Sequence, residues 1–300
     1  DILKDAVSSA AYGSRAANGI IAITTKRGSS SKPVITLNTS AGVQTWPNRP
    51  VLMKGEEWIK VVNARNQYTE GSTDWMKAGE LANLAAGNET NWLDAVTRVG
   101  TIQDYQLSVS GAGTGLNYYL STSYNNNQGV IMGDDYERIS ILGKINTDIT
   151  SWLKIGADAA YSRRDYSGIP ASLGAAYTMS PYGVFYRDEA NGLLEKYPYT
   201  QSSVHPLWGV SDGTRDNMDI RQNFRLYSYA VIDVPWVKGL SYRLNYLMNL
   251  DKNRSGNFYY EDYYVSEGEG LARYEPSRLV GFLTNSNGNI DNNSTYSYVL

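Results

Sequence analysis

The sequence predicts a mainly β protein: a transmembrane antiparallel β-barrel, about eight strands of which lie in this chain. Three observations carry that reading. Long segments alternate apolar and polar residues, as a wall between lipid and water requires. The connections between those segments alternate long and short, as in bacterial barrels with tight turns on one side and longer loops on the other. The composition, with Tyr 25 against Phe 4, Gly 28 and 19% charged residues, suits pleated surfaces with half-wet aromatic positions.

The strands follow in order. Val34 to Gln44, Ile102 to Ser110 and Leu116 to Asn126 alternate imperfectly. Arg138 to Ile149 sets Ile139, Ile141, Ile145 and Ile149 opposite Arg138, Ser140, Lys144, Asn146 and Asp148. Trp152 to Ser162 sets Leu153, Ile155, Ala157, Ala159 and Tyr161 against Lys154, Gly156, Asp158 and Ser162. After a less regular Arg221 to Val234, the clearest case is Gly239 to Asp251. There Leu240, Tyr242, Leu244, Tyr246, Met248 and Leu250 share one face, and Ser241, Arg243, Asn245, Asn249 and Asp251 the other. A last strand runs from about Ile290 to the end.

Thr45 to Gly100, Tyr166 to Asp216 and Lys252 to Asn289 are the long connections; Asn127 to Asp135 is intermediate. Gly111 to Gly115, Thr150-Ser151 and Pro235 to Lys238 are short. Trp152 and Trp236 fall at short turns, where amphipathic rings form an interfacial girdle. Inside the first long loop, Glu56 to Tyr68 reads as a helix with Trp58, Val61, Val62 and Arg65 on one face.

Composition also excludes. No apolar run approaches the ~18 residues of a membrane helix, and the start carries no signal segment. A net charge of −3 leaves no basic footprint for nucleic acid. Cys 0 removes disulfides and thiolate metal sites. A soluble β-sandwich or propeller also alternates, but segments of this length exceed the usual ~5–6 residues of globular strands and match membrane strands.

The first 28 residues, DILKDAVSSAAYGSRAANGIIAITTKRG, read as strand, small-residue turn and strand, Ile20 to Thr25 being the β-branched run. Gly13 and Gly19 do not fit a phosphate-binding loop. The stretch closely resembles the end of the plug domain in TonB-dependent outer-membrane transporters of the SusC/RagA family. Its signature residues are Tyr12, Gly13, Ser14, Arg15, Asn18 and Gly19. The likeness continues through Asn91-Trp92-Leu93-Asp94-Ala95-Val96, Gln106 to Gly111, Asn117 to Ser121 and Gln128 to Arg138, and to about Tyr161 keeps order and spacing.

The resemblance implies residues 1–32 as the C-terminal end of a small α+β plug with its linker. Residues 33–300 would form the N-terminal part of the barrel, with long outer loops at about 45–100, 166–216 and 252–289. It further implies a barrel of about 22 strands with a plugged lumen, TonB as the energy source, and a SusD-like surface lipoprotein as partner. The chain reads as an internal fragment: the TonB box and most of the plug would lie before Asp1, further strands after Leu300.

Polar contacts should seat the plug in the lumen. Arg15, Asn18 and Lys26 are candidates on its side. Arg138, Lys144, Arg221, Arg225 and Arg243 point inward by parity, with Asp148, Asp158 and Asp233 as counter-charges. Substrate or lipoprotein contacts are expected from loop aromatics: Trp46, Tyr177, Tyr182, Tyr186, Trp208, Tyr259 and Tyr260, with Trp75, Tyr263 and Tyr264 beside them and Trp58 assigned to packing. His205, the single histidine, reads as a loop residue, and no segment has the order of a calcium loop. No catalytic, metal or cofactor residues are expected. The function implied is active import of oligosaccharides through the outer-membrane lipid bilayer, with peptides as the second choice. A soluble carbohydrate-binding or hydrolytic β-domain and a passive porin are the rivals.

Overall fold

A computed structural model describes residues 2–3, 20–21, 28–199, 203–210, 214–237, 239–260, 262–265, 272–275, 278–284 and 294–299. The residues read as a plug signature, Tyr12 to Gly19, and Lys26 lie outside the described residues; in the first 32 residues, β1 (Ile2–Leu3) pairs antiparallel with β2 (Ile20–Ile21).

The main body is one antiparallel meander. In chain order its strands are β3 (Val34–Gln44), β4 (Gly100–Gly113), β5 (Leu116–Gln128), β6 (Asp135–Asp148) and β7 (Leu153–Asp165). Then come β10 (Arg215–Asp233), β11 (Ser241–Tyr259), β14 (Arg278–Thr284) and β15 (Ser294–Val299). Each pairs with its neighbour in sequence, giving a nine-stranded sheet with β3 and β15 at its edges. Two small hairpins sit in the loops: β8 (Tyr186–Asp188) with β9 (Leu193–Leu194), and β12 (Asp262–Val265) with β13 (Ala272–Glu275).

Register separates the chemistry of the two faces. One rung across seven strands reads Leu37, Leu107, Thr122, Ile141, Tyr161, Phe224 and Leu250. The neighbouring rung, on the opposite face, reads Asn38, Gln106, Ser123, Ser140, Ser162, Asn223 and Asp251. The apolar side chains are the exposed ones: Leu120, Ile145, Leu244 and Tyr246 are each about half exposed. The buried side chains of this sheet include Ser121, Asn125, Lys144 and Asn146. That is the inverse of a water-soluble sheet, and it is the arrangement a wall needs when lipid lies outside and a wet lumen inside.

Strand length adds a second dimension. About 9–11 residues cross a bilayer when tilted, yet β10 and β11 run 19 residues each. Their surplus lies on the side of the long loops, where Gln222, Lys252 and Arg254 replace the apolar band. The outward apolar band therefore ends before the strands do on that side.

Four points differ from the sequence expectation. The sheet has nine strands rather than about eight, because β14 falls inside the segment read as a loop at 252–289. β10 begins at Arg215 and β11 ends at Tyr259, each extending into an expected loop. Helix α1 (Gly55–Asn66) buries Trp58, Ile59, Val62 and Asn63, leaving Val61 exposed at 43%. His205 does lie in a loop, but it is buried.

At the short-turn end, residues 28–32 lead into β3 with little clearance. A Cβ on Gly28 would collide with the carbonyl oxygens of Gly111 and Tyr118. Ser30 fixes the approach, its carbonyl accepting the Ala112 N–H at 2.7 Å. Among the described residues no helix is long and apolar enough to cross a membrane.

Candidate functional site

On the long-loop side, segments 45–99 and 166–210 fold together into a cap. It contains α1, α2 (Ala78–Ala86), α3 (Trp92–Val96), α4 (Leu173–Thr178) and the β8–β9 hairpin. Its core comprises Trp58, Ile59, Val62, Met76, Leu93, Val96, Met179 and Leu207 around Trp92, which is 1% exposed. The Trp92 indole N–H donates to the Ser180 carbonyl at 2.7 Å; its ring stacks on Phe185 at 5.3 Å and meets the edge of His205 at 5.1 Å. His205 Nδ1 accepts the Leu207 N–H at 3.0 Å, so this histidine belongs to the packing.

The expected α1 face is shifted for a polar reason. Asn63 turns inward because it accepts from the Trp75 indole at 2.7 Å and donates to the Ser72 carbonyl at 3.0 Å. A buried amide satisfied on both atoms costs little, and it fixes the helix rotation.

The two loops are tied by direct bonds. Thr90 N–H donates to Pro181 O at 2.7 Å, Asn83 Nδ2 to Tyr182 O at 2.9 Å, and Lys77 Nζ to Tyr197 O at 3.0 Å. The turn 129–134 is their platform: Arg98 N–H donates to Val130 O, Met132 N–H to Val96 O, and Ala171 N–H to Met132 O. Gly133 makes this junction possible. Its φ is +76°, and a Cβ there would run into the Ile169 carbonyl.

The seven expected loop aromatics are dispersed. Tyr182 is core, 4% exposed, its hydroxyl donating to Glu89 Oε1 at 3.2 Å. Burial and then the Glu89 carboxylate hold its pKa above the ordinary value. Trp208 is half-buried with Lys196 Nζ 5.5 Å from its ring. Tyr177 and Tyr186 are exposed on the cap. Trp46 lines a cavity of about 320 Å³ beside the Arg49–Asp94 ion pair. Tyr259 stacks under Arg215, and Tyr260 donates to Asp216 Oδ2 at 2.6 Å, which raises its pKa. The ring of Trp75 packs on Trp58 and Tyr68 within the cap. A further cleft of about 370 Å³ opens between segment 47–54 and the start of α3, over Trp92 and Met179.

The inward face of the wall carries the polar groups. Lys144 faces Asp158 across the strands at 3.9 Å. Arg221 pairs with Asp219 on its own strand at 2.9 Å, and Arg243 packs over Tyr229 while donating to Asn245. Asn146 links Asn117 and Tyr229, and Asn223, Asn249 and Asp251 bond one another. The sequence reading missed three residues here. Arg164 continues the inward parity of β7 past Ser162, and Tyr136 and Tyr166 pack with ring centres 4.8 Å apart, tilted by 43°, where β6 and β7 leave the wall. Extending the alternation by two residues finds Arg164; no local signal finds the tyrosine pair. Among the described residues no group of three or more His, Cys, Asp and Glu could hold a metal.

No family model matches the chain. It is 27% identical over 270 residues to TonB-dependent receptor P3 of Formosa agariphila, covering 86% of this chain and 25% of that protein. It is 27% identical over 217 residues to TonB-dependent receptor SusC of Bacteroides thetaiotaomicron, covering 69% of this chain and 20% of that one. A solved RagAB peptide importer in an open-open state matches with a TM-score of 0.69 at 22% identity, over 93% of this chain and 34% of that chain. The chain thus spans about a quarter of the length of the curated relatives it matches. By sequence it is similar to TonB-dependent receptors, SusC among them, and by fold it resembles part of such a β-barrel with its loops.

Proposed function

We propose that the protein to which this chain contributes is an active importer in the bacterial outer membrane. In it, residues 33–300 form wall and outer loops and residues 1–32 the end of a plug. The observation that carries the reading is the inverted sheet, apolar outward and polar inward, with a folded cap over one end. Nothing in a soluble enzyme or binding module would cover that outward face. The reading includes energy from TonB, a SusD-like lipoprotein seated over the cap, and no catalytic step.

Oligosaccharides are the proposed cargo. Exposed rings on the cap, Tyr177 and Tyr186, and the half-buried Trp46 and Trp208 offer flat faces for sugars. Peptides are the second reading, favoured by the similarity to a RagAB importer described as a peptide importer. The test is uptake by intact cells of fluorescent oligosaccharides and peptides, with and without TonB. Oligosaccharide uptake lost with TonB supports the first reading, and peptide uptake alone the second. Recovery of the protein in a soluble fraction refutes import altogether.

A further inference from the structure

The register of the wall places three arginines in one inward-facing rung on three adjacent strands: Arg138 opposite Arg164, and Arg164 opposite Arg221. Like charges directly opposite one another destabilise a sheet unless something else offsets them. Beside them stand Tyr136 and Tyr166, their rings in tilted contact, with the Arg221 guanidinium 4.8 Å from the Tyr166 ring centre.

Four of the five described acids at this level already pair with an arginine, and Asp104, two strands from Arg138, is held by a neutral amide. Asp135 pairs with Arg98, and Glu137 and Asp165 with Arg163, Glu137 and Arg163 lying on the outward face. Asp104 accepts from Asn125 at 2.7 Å. Asp219 is held by two nitrogens of Arg221. Among the described residues, neither Arg138 nor Arg164 has a carboxylate partner, and the Arg138 Nε is buried without a hydrogen bond. The site keeps surplus positive charge on a face where water is the alternative ligand.

Its height matters too. The cluster sits at the ends of β6 and β7 nearest the cap, level with the charged groups that end the apolar band outside. The segment leading in from residue 28 lies at the opposite end of the wall, bonded to the β4–β5 hairpin. The cluster therefore faces the mouth.

We propose that this cluster is a recognition site for an anionic oligosaccharide, one bearing carboxylate or sulfate groups. The inference rests on the importer reading and narrows its cargo. Guanidinium groups bind such anions with paired, charge-assisted hydrogen bonds, and the tyrosine rings supply a face for the sugar. Arg138 and Arg164, on adjacent strands about 4.8 Å apart and neither paired with a carboxylate among the described residues, match a chain with an anionic group on successive sugars. Carboxylates on a peptide recur only as its sequence dictates.

The experiment is equilibrium binding to the intact protein in lipid nanodiscs, a readout independent of uptake. The probes are oligogalacturonate, a sulfated galactan oligosaccharide, a neutral maltooligosaccharide and a glutamate-rich peptide. One anionic oligosaccharide should bind at least about tenfold tighter than the neutral one, with added salt weakening it. Oligogalacturonate or the sulfated probe, whichever wins, identifies the anion. R164Q, at an exposed side chain, should abolish that preference; R164K should restore part of it, and R138Q should repeat the loss. Neutral binding as tight as anionic, or no effect of R164Q and R138Q, overturns the proposal, and so does tighter binding of the acidic peptide. TonB-dependent uptake of a neutral glucan unaffected by R164Q would overturn it while leaving import intact. Anionic binding lost in R164Q by a protein that imports nothing would do the reverse.

Discussion

In the wall the least exposed side chains include Ser121, Asn125, Lys144 and Asn146, while Leu120, Ile145 and Leu244 stand outside. In the cap the least exposed include Trp92, Val96 and Ala176, with Glu80 buried among them and its carboxylate accepting the Lys77 N–H. One chain thus folds under two solvents. The cap is held by burial of apolar surface from water, at roughly 25 cal/mol per Å². The wall gains nothing from that within the bilayer; it is held by inter-strand hydrogen bonds that have no alternative partner in hydrocarbon.

The strongest way to break this comparison is to unmake one half alone. Trp92→Ala should cost the cap about 3–5 kcal/mol through the cavity it leaves and the lost bond to Ser180. Limited proteolysis should then cut within 45–99 or 166–210 while the strands stay protected. Simultaneous loss of both would show that wall and cap are one cooperative unit.

A pair of neighbouring sites sharpens the two-solvent account. Leu244 and Leu247 are both exposed leucines on β11, 49% and 65%, but parity puts Leu244 outward and Leu247 inward. Leu244→Arg should cost about 2–4 kcal/mol in denaturant titrations from lipid vesicles, as a charge facing hydrocarbon does. Leu247→Arg should stay within about 0.5 kcal/mol. Equal costs would refute the assignment of faces.

Smaller effects probe the junction and the cap. Gly133→Ala should cost about 1–3 kcal/mol, read as faster proteolysis where turn 129–134 meets Ile169. The raised Tyr182 pKa makes a signed prediction. The folded cap holds this proton more tightly than the unfolded chain, so its contribution is full below the ordinary tyrosine value. It is lost as pH climbs from there through the raised value. Cap unfolding followed at alkaline pH should show that loss, and Tyr182→Phe should remove it while costing about 1 kcal/mol at neutral pH. Arg49→Ala, at an ion pair with both partners about half exposed, should change stability by no more than about 1 kcal/mol.

The same division explains what was legible in the sequence. Inside the bilayer each strand meets lipid on one side and water on the other, so alternation reports the fold directly, and Val34–Gln44 is found to the residue. Beyond the bilayer both faces of β11 are wet. From Asn253 to Asn257 the alternation fades, and the extension reads as a loop. The β14 strand is lost in the same segment. The cap is the least legible part, because Trp92, Phe185 and His205 meet across two loops with no local pattern linking them. Seven aromatics were singled out by loop position; Tyr182 proves to be core, since nothing at position 182 itself announces Glu89 or Asn83. The plug signature, by contrast, was read by its resemblance, and those residues lie outside the described structure.

The wall is a meander in which each strand pairs with the next, and β4 to β7 and β10 to β11 can be assembled hairpin by hairpin with short loop closures. The cap has no such freedom. Its two segments are separated by β4 to β7, and Trp92 finds Ser180 and Phe185 only once those four strands stand side by side. Burial of one indole therefore marks the moment at which a third of the chain has come into register. A strand that slips by one residue leaves that ring in water, where a quality-control protease can find the loop that carries it.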